Sequence, residues 1–268
     1  MTFEKLQSMV DGIKGVDPVT IGHSVMGRPI YAFHVGDKSG EQVIVHGAIH
    51  AREWITSLLV VELLHRYRNM YSSKSREGAC TQRNKTTQSG GIWFIPLCNP
   101  DGVQIALSDD PLWKANARGV DLNVNFDAGW GTGTQNVFKP GSENYIGPHP
   151  NSEPEVQALI DFTLKIRPKA TIAYHSKGEV VYYPNPNDRQ LAETIADITD
   201  YDAIQTRNSA GGYSDWVVKH LGVPALTIEV GNDEKQHPIN IDSLPEIIRQ
   251  NQHVIAIILN DDKNTKHL

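Results

Sequence analysis

Short apolar runs separated by helical patterns are the feature of this sequence that most restricts its fold. Two of them, residues 42–46 and 92–97, have the length of a buried strand and are too short for a buried helix. Apolar residues at helical spacing follow the first run at 55–71, and the same pattern returns at 189–199. The alternation predicts an α/β fold with a mixed, largely parallel central sheet and helices on both faces.

The remaining elements are predicted from the same two periodicities. Further strands are predicted at 19–24, 29–35, 170–174, 180–183 and 225–230. Further helices are predicted at 2–14, from Ser152-Glu153-Pro154-Glu155 onward with a capping residue and an acidic first turn, at 213–220, and from 245 to about 259.

The segments between these elements carry turn and loop signals. Polar residues 72–91 predict an exposed loop, and Asn99-Pro100-Asp101-Gly102 predicts a turn. Residues 127–148 are rich in Gly, Asn and aromatic residues and predict a long ordered loop. Loops of that length in a compact domain are usually functional or disordered. We find no internal repeat and no low-complexity tract, so a single domain is predicted over residues 1–268.

Bulk properties exclude several functional classes. A net charge of −6 and a pI near 6.0 argue against nucleic acid or an anionic membrane as partner. No apolar run has the length of a membrane span. Two cysteines, Cys80 and Cys98, provide neither a disulfide framework nor a thiolate metal cluster, and free thiols are expected. The first residues lack the order of a secretory signal, which indicates a cytoplasmic protein if the chain is complete and leaves a secreted or cell-wall location open if it is trimmed.

Four polar residues follow or end predicted strands. His50 and Glu53 come after the strand at 42–46, His175 ends the run at 170–174, and Glu229 lies near the end of the run at 225–230. Ligands of an α/β sheet gather beyond the carboxyl ends of its strands. Two histidines and one glutamate suit a catalytic zinc site, which keeps one coordination position open. Glu229 beside such a metal is suited to act as a general base.

Each residue also has a simpler interpretation. An isolated His-x-x-Glu pair commonly caps a helix, and a carboxylate inside an apolar strand such as Glu229 is equally suited to a buried ion pair with an arginine. His46 is a rival ligand, although strand alternation predicts that its side chain points elsewhere.

Several motifs together resemble one known family. His50-Ala51-Arg52-Glu53-Trp54 is similar to the signature of the zinc metallocarboxypeptidases, which have the carboxypeptidase A-like fold. The resemblance continues in family order over nearly the whole chain, through Asn99-Pro100-Asp101-Gly102, Gly119-Val120-Asp121-Leu122-Asn123, His175-Ser176, Gly211-Gly212-x-x-Asp215-Trp216 and Thr227-x-Glu229.

This resemblance implies a zinc-dependent peptidase with one zinc ion per chain. It implies His50, Glu53 and His175 as the ligands and Glu229 as the general acid and base that serves a zinc-activated water. It also implies that Asp121 accepts a hydrogen bond from His50, which fixes the tautomer of the imidazole.

The cation that stabilises the oxyanion is implied less directly. The family usually has an arginine where this chain has Lys114. A lysine supplies a point charge but lacks the paired N–H donors of a guanidinium. Arg118 lies close in sequence and is the alternative for this role.

The departures from the family pattern concern substrate binding. Val124 follows Asn123 where family exopeptidases have an arginine that binds the terminal carboxylate of the substrate. Binding a carboxylate in this bidentate way needs two N–H donors, which a valine side chain does not have. Arg207 aligns with the tyrosine that closes over the substrate, and Ser214 with the residue that sets side-chain preference. These differences disfavour an ordinary carboxypeptidase for aromatic or basic C-terminal residues.

One branch of the family is closer in appearance. The segments 174–180 and 113–119 are similar to bacterial γ-D-glutamyl-diamino acid peptidases, which cut murein stem peptides between γ-D-glutamate and diaminopimelate. The resemblance therefore implies a peptide or muropeptide as partner, with Arg207 and Ser214 meeting the additional carboxylates and amine of such a substrate.

Three other functions stay open from the sequence alone. The first is a conventional metallocarboxypeptidase that binds the C-terminus through another cation. The second is an amidohydrolase of the related deacylase branch, against which the segments around Trp54, Asp215-Trp216 and Glu229 count. The third is a non-catalytic module that binds zinc and peptide, a hypothesis to which Val124 and Lys114 give some support.

Overall fold

The fold is described from a computed structural model, which describes residues 1–77, 90–207 and 209–260. In these residues eight strands form one sheet in the order β1-β2-β4-β3-β5-β8-β6-β7. Their bounds are β1 Pro18–His23, β2 Pro29–Gly36, β3 Glu41–His46, β4 Gly90–Ile95, β5 Ala170–His175, β6 Val180–Tyr183, β7 Asp202–Gln205 and β8 Ala225–Glu229.

Eight α-helices accompany the sheet in the same described ranges. They are α1 Phe3–Asp11, α2 Ile55–Glu77, α3 Pro100–Ser108, α4 Pro154–Ile166, α5 Arg189–Thr199, α6 Tyr213–Leu221, α7 Leu244–Asn251 and α8 Val254–Asn260. Within the described residues, none of the helices combines the length and the apolarity needed to cross a membrane.

The four central strands, β4, β3, β5 and β8, run parallel to one another, and the antiparallel pairs lie toward the two edges. Side chains of the central strands are buried on both faces, as Val43 and Val45 pack into one apolar layer and Ile44 into the other. Helices α1, α2 and α5 contribute to the first layer, and α4 and α6 to the second. The predicted fold class is therefore confirmed.

Most predicted elements are confirmed, with ends that shift by a few residues. The predicted exposed loop at 72–91 is wrong at both ends, because α2 continues to Glu77 and β4 begins at Gly90, while residues 78–89 lie outside the described ranges. The loop at 127–148 is confirmed, with only an isolated bridge between Val137 and Tyr145 in that described segment.

The turn predicted at Asn99–Gly102 is wrong, because these residues begin α3. The side-chain oxygen of Asn99 accepts the backbone N–H of Gly102 at 3.0 Å and caps the helix. Asn followed by Pro is a turn signal, but the same residues are favoured at a helix N-cap and first position. The tertiary contacts of Asn99, described below, favour the helix.

Three further predictions need correction. Strand β7 was not predicted, because its exposed, alternating residues give a weak signal. The closing helix is two helices, α7 and α8, with a break at 252–253. The N-cap of α4 is Glu153, whose side chain makes no capping bond, and the Ser152 hydroxyl instead donates to the Glu153 carboxylate at 2.7 Å.

Candidate metal centre and active site

Three of the four predicted residues lie at the point in the sheet where successive strands are added on opposite sides. Strand β4 lies on one side of β3 and β5 on the other, so the carboxyl ends of β3 and β5 flank a topological switch point. Crevices that bind ligands form at such points in parallel sheets. His50 and Glu53 follow β3, and His175 is the last residue of β5.

The turn after β3 is fixed from two directions. The Thr56 hydroxyl accepts the Ala48 N–H and donates to the Glu53 carbonyl, both at 2.8 Å. The side-chain amide of Asn99 donates to the Ile49 carbonyl at 3.1 Å, and the Asn99 side chain is fully buried. These bonds let Ala48 hold a left-handed φ of 51°, and they present His50 and Glu53 to the same side.

Three side chains then converge on one point. His50 Nδ1 lies 2.9 Å from Glu53 Oε1, His175 Nδ1 lies 3.1 Å from Glu53 Oε2, and the two Nδ1 atoms are 3.1 Å apart. The three residues are 7%, 4% and 1% exposed. The backbone N–H of Ser176 donates to Glu53 Oε2 at 3.1 Å and fixes the carboxylate.

This donor set fits a divalent cation. Two imidazole nitrogens that face each other at 3.1 Å can share at most one proton in a hydrogen bond, and a cation between them removes the conflict of lone pairs. Two nitrogens and one carboxylate oxygen, all within 4.8 Å of one another, are the ligands of a catalytic zinc site with an open position. The residues present therefore fit zinc.

The far nitrogen of His50 faces a buried ion pair. His50 Nε2 lies 3.3 Å from Asp121 Oδ1, and the Lys114 ammonium lies 2.7 Å from Asp121 Oδ2. Burial favours the neutral form of Asp121, but the charges of Lys114 and His50 outweigh burial and hold its pKa below the usual range. Asp121 is thus an anion that links His50 to Lys114.

Glu229 ends β8 in register with His175. One of its carboxylate oxygens, Oε2, is buried without a hydrogen-bond partner among the described residues. Burial, with a smaller contribution from the charge of Glu53, raises the pKa of Glu229 to about 8. A cation held by the three neighbouring ligands would oppose this shift, because positive charge favours the ionised carboxyl.

Two adjoining cavities open beside these residues. The larger has a volume of about 560 Å³, and its walls include His50, Lys114, Asn123, Val124 and Arg207. The smaller, of about 190 Å³, lies beside Glu229 and is lined mainly by polar residues: Asn123, Tyr182, Thr206, Ser209, Ser214, Asp215 and Thr227.

Comparison with known proteins agrees with this geometry. The model of the zinc carboxypeptidase family matches residues 6–207, which is more than half of the chain. The chain belongs to the zinc carboxypeptidase family. Zinc is the metal that this family uses, which agrees with the donor set formed by His50, Glu53 and His175.

Individual relatives extend the comparison. The chain is 29% identical over 266 residues to γ-D-glutamyl-L-diamino acid endopeptidase 1 of Lysinibacillus sphaericus, an alignment that covers 88% of this chain and 65% of that protein. The chain thus spans a little under two thirds of the length of that relative.

Solved structures confirm the carboxypeptidase A-like fold. Carboxypeptidase A of Helicoverpa armigera superposes with a TM-score of 0.79 and 20% identity, over 99% of this chain and 75% of that one. The murein-tripeptide amidase of Escherichia coli O157 gives a TM-score of 0.63 and 23% identity, over 92% of both chains.

The predicted substrate-binding residues differ in their placement. Asn123 and Ser214 line the cavities. The Ser214 hydroxyl lies 2.8 Å from that of Thr227, and the side-chain Oδ1 of Asn123 accepts the Tyr213 backbone N–H at 3.0 Å. Arg207 is exposed and lines the larger cavity.

Two other predicted or rival residues lie apart from this group. Arg118 is absent from the linings of both cavities described above, and its guanidinium lies 3.6 Å from the Glu153 carboxylate, so the alternative role for Arg118 is not supported. His46 is fully buried and packs edge-on against the Tyr213 ring at 4.6 Å, as expected from strand alternation.

Sequence reasoning missed several residues of the cavity walls, of which Tyr182 and Asn144 are two. Tyr182 on β6 lines both cavities, and Asn144 lines the larger one beside Lys114. Asn144 lies in the long loop at 127–148, where no periodicity identifies single positions. The sequence could therefore predict a function only for the loop as a whole, and not for Asn144.

Proposed function

We propose that this chain hydrolyses an amide bond in a peptide, with one zinc ion held by His50, Glu53 and His175. Such an ion supplies a Lewis acid that polarises a carbonyl and acidifies a water molecule. The convergence of His50 Nδ1, His175 Nδ1 and the Glu53 carboxylate on one buried point supports this assignment. The Asp121 carboxylate lies 3.3 Å from the other nitrogen of His50, where its negative charge strengthens the imidazole as a metal ligand.

Glu229 is the proposed general base and acid. Its carboxylate lies beside His175 at the end of β8 and lines the smaller cavity. It takes a proton from the attacking water and returns it to the leaving amine, so the carboxylate must be ionised when the reaction begins. This complete set of ligands and base favours an enzyme over the non-catalytic binding module.

Lys114 is the proposed oxyanion-stabilising cation. It lines the larger cavity together with His50, and its ammonium is held by Asp121 at 2.7 Å. The charge of Asp121 raises the pKa of Lys114 against the effect of burial, so the ammonium stays charged. A fixed positive charge beside the developing oxyanion lowers the barrier without reorganisation of solvent.

The proposed substrate is a murein stem peptide, cut between γ-D-glutamate and diaminopimelate. The observation that carries this proposal is Val124, which lines the larger cavity at the position of the family's carboxylate clamp. The similarity to the Lysinibacillus sphaericus endopeptidase supports the same substrate.

The remaining walls of the cavities suit such a substrate. Ser214 and Thr227 present hydroxyls where an aromatic side chain would need an apolar wall. Arg207 and the Asn123 amide are suited to meet the additional carboxylates of a diamino acid. We propose these residues as the determinants of specificity.

A digest of defined substrates tests the proposal. The purified chain is incubated with a γ-D-glutamyl-diaminopimelate peptide and with ordinary L-peptides that have free C-termini, each with and without a chelator. Products are identified by mass spectrometry. We expect cleavage of the γ-D-glutamyl bond that the chelator abolishes and zinc restores.

Two outcomes would contradict the proposal. Release of C-terminal residues from L-peptides without attack on the γ-D-glutamyl bond would favour a conventional carboxypeptidase. Stoichiometric zinc binding without hydrolysis of either class of substrate would favour the binding module.

A further inference from the structure

The segment 142–145 in the long loop contacts both members of the buried ion pair. The Ser142 carbonyl accepts the backbone N–H of Lys114 at 2.9 Å, and the Tyr145 carbonyl accepts that of Asp121, also at 2.9 Å. The backbones of both charged residues are therefore fixed by the same four-residue segment.

Asn144, between these two anchors, contacts the charges themselves. Its backbone N–H donates to Asp121 Oδ2 at 3.2 Å, and its side-chain Oδ1 accepts from Lys114 Nζ at 3.3 Å. Its φ is +61°, in the left-handed region that few residues other than Gly, Asn and Asp adopt. That backbone conformation presents the N–H and the side-chain oxygen of one residue to the two partners of an ion pair.

We propose that Asn144 is a positioning residue that holds the Lys114 ammonium in the active-site cavity. This inference rests on the proposed function of Lys114. An ammonium group has three N–H donors, and in the described part of the chain Asp121 and Asn144 engage two of them. The third N–H is left for a ligand in the cavity that Lys114 lines with His50.

The second acceptor matters because a lysine side chain is long and flexible. With Asp121 as its only partner, the ammonium is free to rotate about the Asp121 carboxylate, and the direction of the third N–H is no longer fixed. Small displacements of a group that stabilises a transition state reduce the rate much more than they reduce substrate binding. The expected signature is a loss of kcat without a matching rise in KM.

Asn144→Gly tests the inference with little disturbance of the fold. Glycine accepts a φ of +61° without strain and keeps the N–H that Asp121 receives, so the substitution removes only the side-chain acceptor. Asn151→Gly is a matched control, because Asn151 also has a left-handed φ, of +56°, and its side-chain oxygen also accepts a backbone N–H, from Asp127 at 2.9 Å.

Two measurements are made on the full chain. The first is kcat and KM on whichever of the two substrate classes above the wild type cleaves. The second is the rate of reductive methylation of Lys114 in the metal-free chain, followed by mass spectrometry of the peptide that contains it. The second measurement needs no substrate and no metal, so it distinguishes a failure of this inference from a failure of the proposed function.

For Asn144→Gly we expect kcat to fall about tenfold with KM within about twofold, as for misplacement of one electrostatic group. We expect methylation of Lys114 to accelerate about fivefold, because one charge-assisted hydrogen bond to its ammonium is lost. Asn151→Gly should change neither quantity. Unchanged kcat and unchanged methylation in Asn144→Gly, or equal losses in both variants, would overturn the inference.

Discussion

Two sides of the cavities differ in how they are built. The metal side comprises His50, Glu53, His175, Lys114 and Asp121, and the substrate side comprises Val124 and Arg207. On the metal side the charged groups are buried and contact several partners. Asp121, for example, contacts His50, Lys114 and the Asn144 backbone. On the substrate side, Arg207 is exposed and the side chain of Val124 has no polar atom. The contrast teaches that the groups proposed to carry the chemistry are fixed by the folded chain alone, whereas the proposed recognition of substrate depends on single, replaceable contacts.

The largest expected effect sharpens this contrast at the metal side. Glu229→Gln keeps the shape of the side chain but removes the proton acceptor, so we expect kcat to fall about 10³-fold, within the range for a lost general base. Because Glu229 is not one of the three proposed ligands, stoichiometric zinc should remain bound, as measured by atomic absorption. The matched control Glu234→Gln, in the exposed loop after β8, should keep wild-type kcat.

Asp121→Asn should weaken the metal side without destroying it. The substitution removes the anion between His50 and Lys114, and the loss of such a supporting carboxylate typically lowers zinc affinity about 10- to 100-fold. Competition with a fluorescent zinc chelator measures this affinity. Asp127→Asn, which alters an exposed ion pair with Lys219, is the control, and equal affinities in the two variants would contradict a role for Asp121.

Arg207→Ala tests the substrate side. If Arg207 binds a substrate carboxylate from its exposed position, we expect KM to rise about tenfold with kcat nearly unchanged, because the contact is the same in ground and transition states. Arg118→Ala is the control, since the Arg118 guanidinium pairs with Glu153 outside the two cavities. Similar KM values for both variants would remove Arg207 from the proposed binding site.

The last expected effect concerns stability instead of catalysis, and it is the pH dependence of stability in the metal-free chain. Burial raises the pKa of Glu229 from its ordinary 4.5 to about 8, so the folded chain retains a proton that the unfolded chain releases. The resulting stability is fully present below about pH 4.5 and is lost as the pH rises through about 8. We expect the Tm of the metal-free wild type to fall across this range more than that of Glu229→Gln, and parallel Tm curves would contradict the assignment.

The same contrast explains how much the sequence could predict. His50, Glu53, His175 and Glu229 follow or end apolar strands, and parallel strands bring their carboxyl ends together, so their convergence was predictable before any coordinates. The sequence gives no comparable guide to which residues of the loop at 127–148 approach the site. The role of Asn144 depends on a left-handed φ and on two contacts distant in sequence.

Errors in the predicted fold have a related cause. Asn99-Pro100 carries signals for both a turn and a helix start, and the choice depends on the buried bonds that Asn99 makes to Ile49 and Ala115. The prediction of Arg118 as the alternative oxyanion-stabilising cation rests on its closeness to Lys114 in sequence. The bends of the intervening segment turn it toward Glu153 instead, a path that local residue patterns do not encode.

The central claim is that two segments distant in sequence form one metal site. Crystals of the chain grown with zinc, with diffraction recorded at the zinc absorption edge, test it most directly. We predict one strong anomalous peak per chain, about 2.0–2.2 Å from His50 Nδ1, His175 Nδ1 and a Glu53 oxygen. A zinc peak bound elsewhere, or ordered side chains of these three residues with no peak between them, would contradict it.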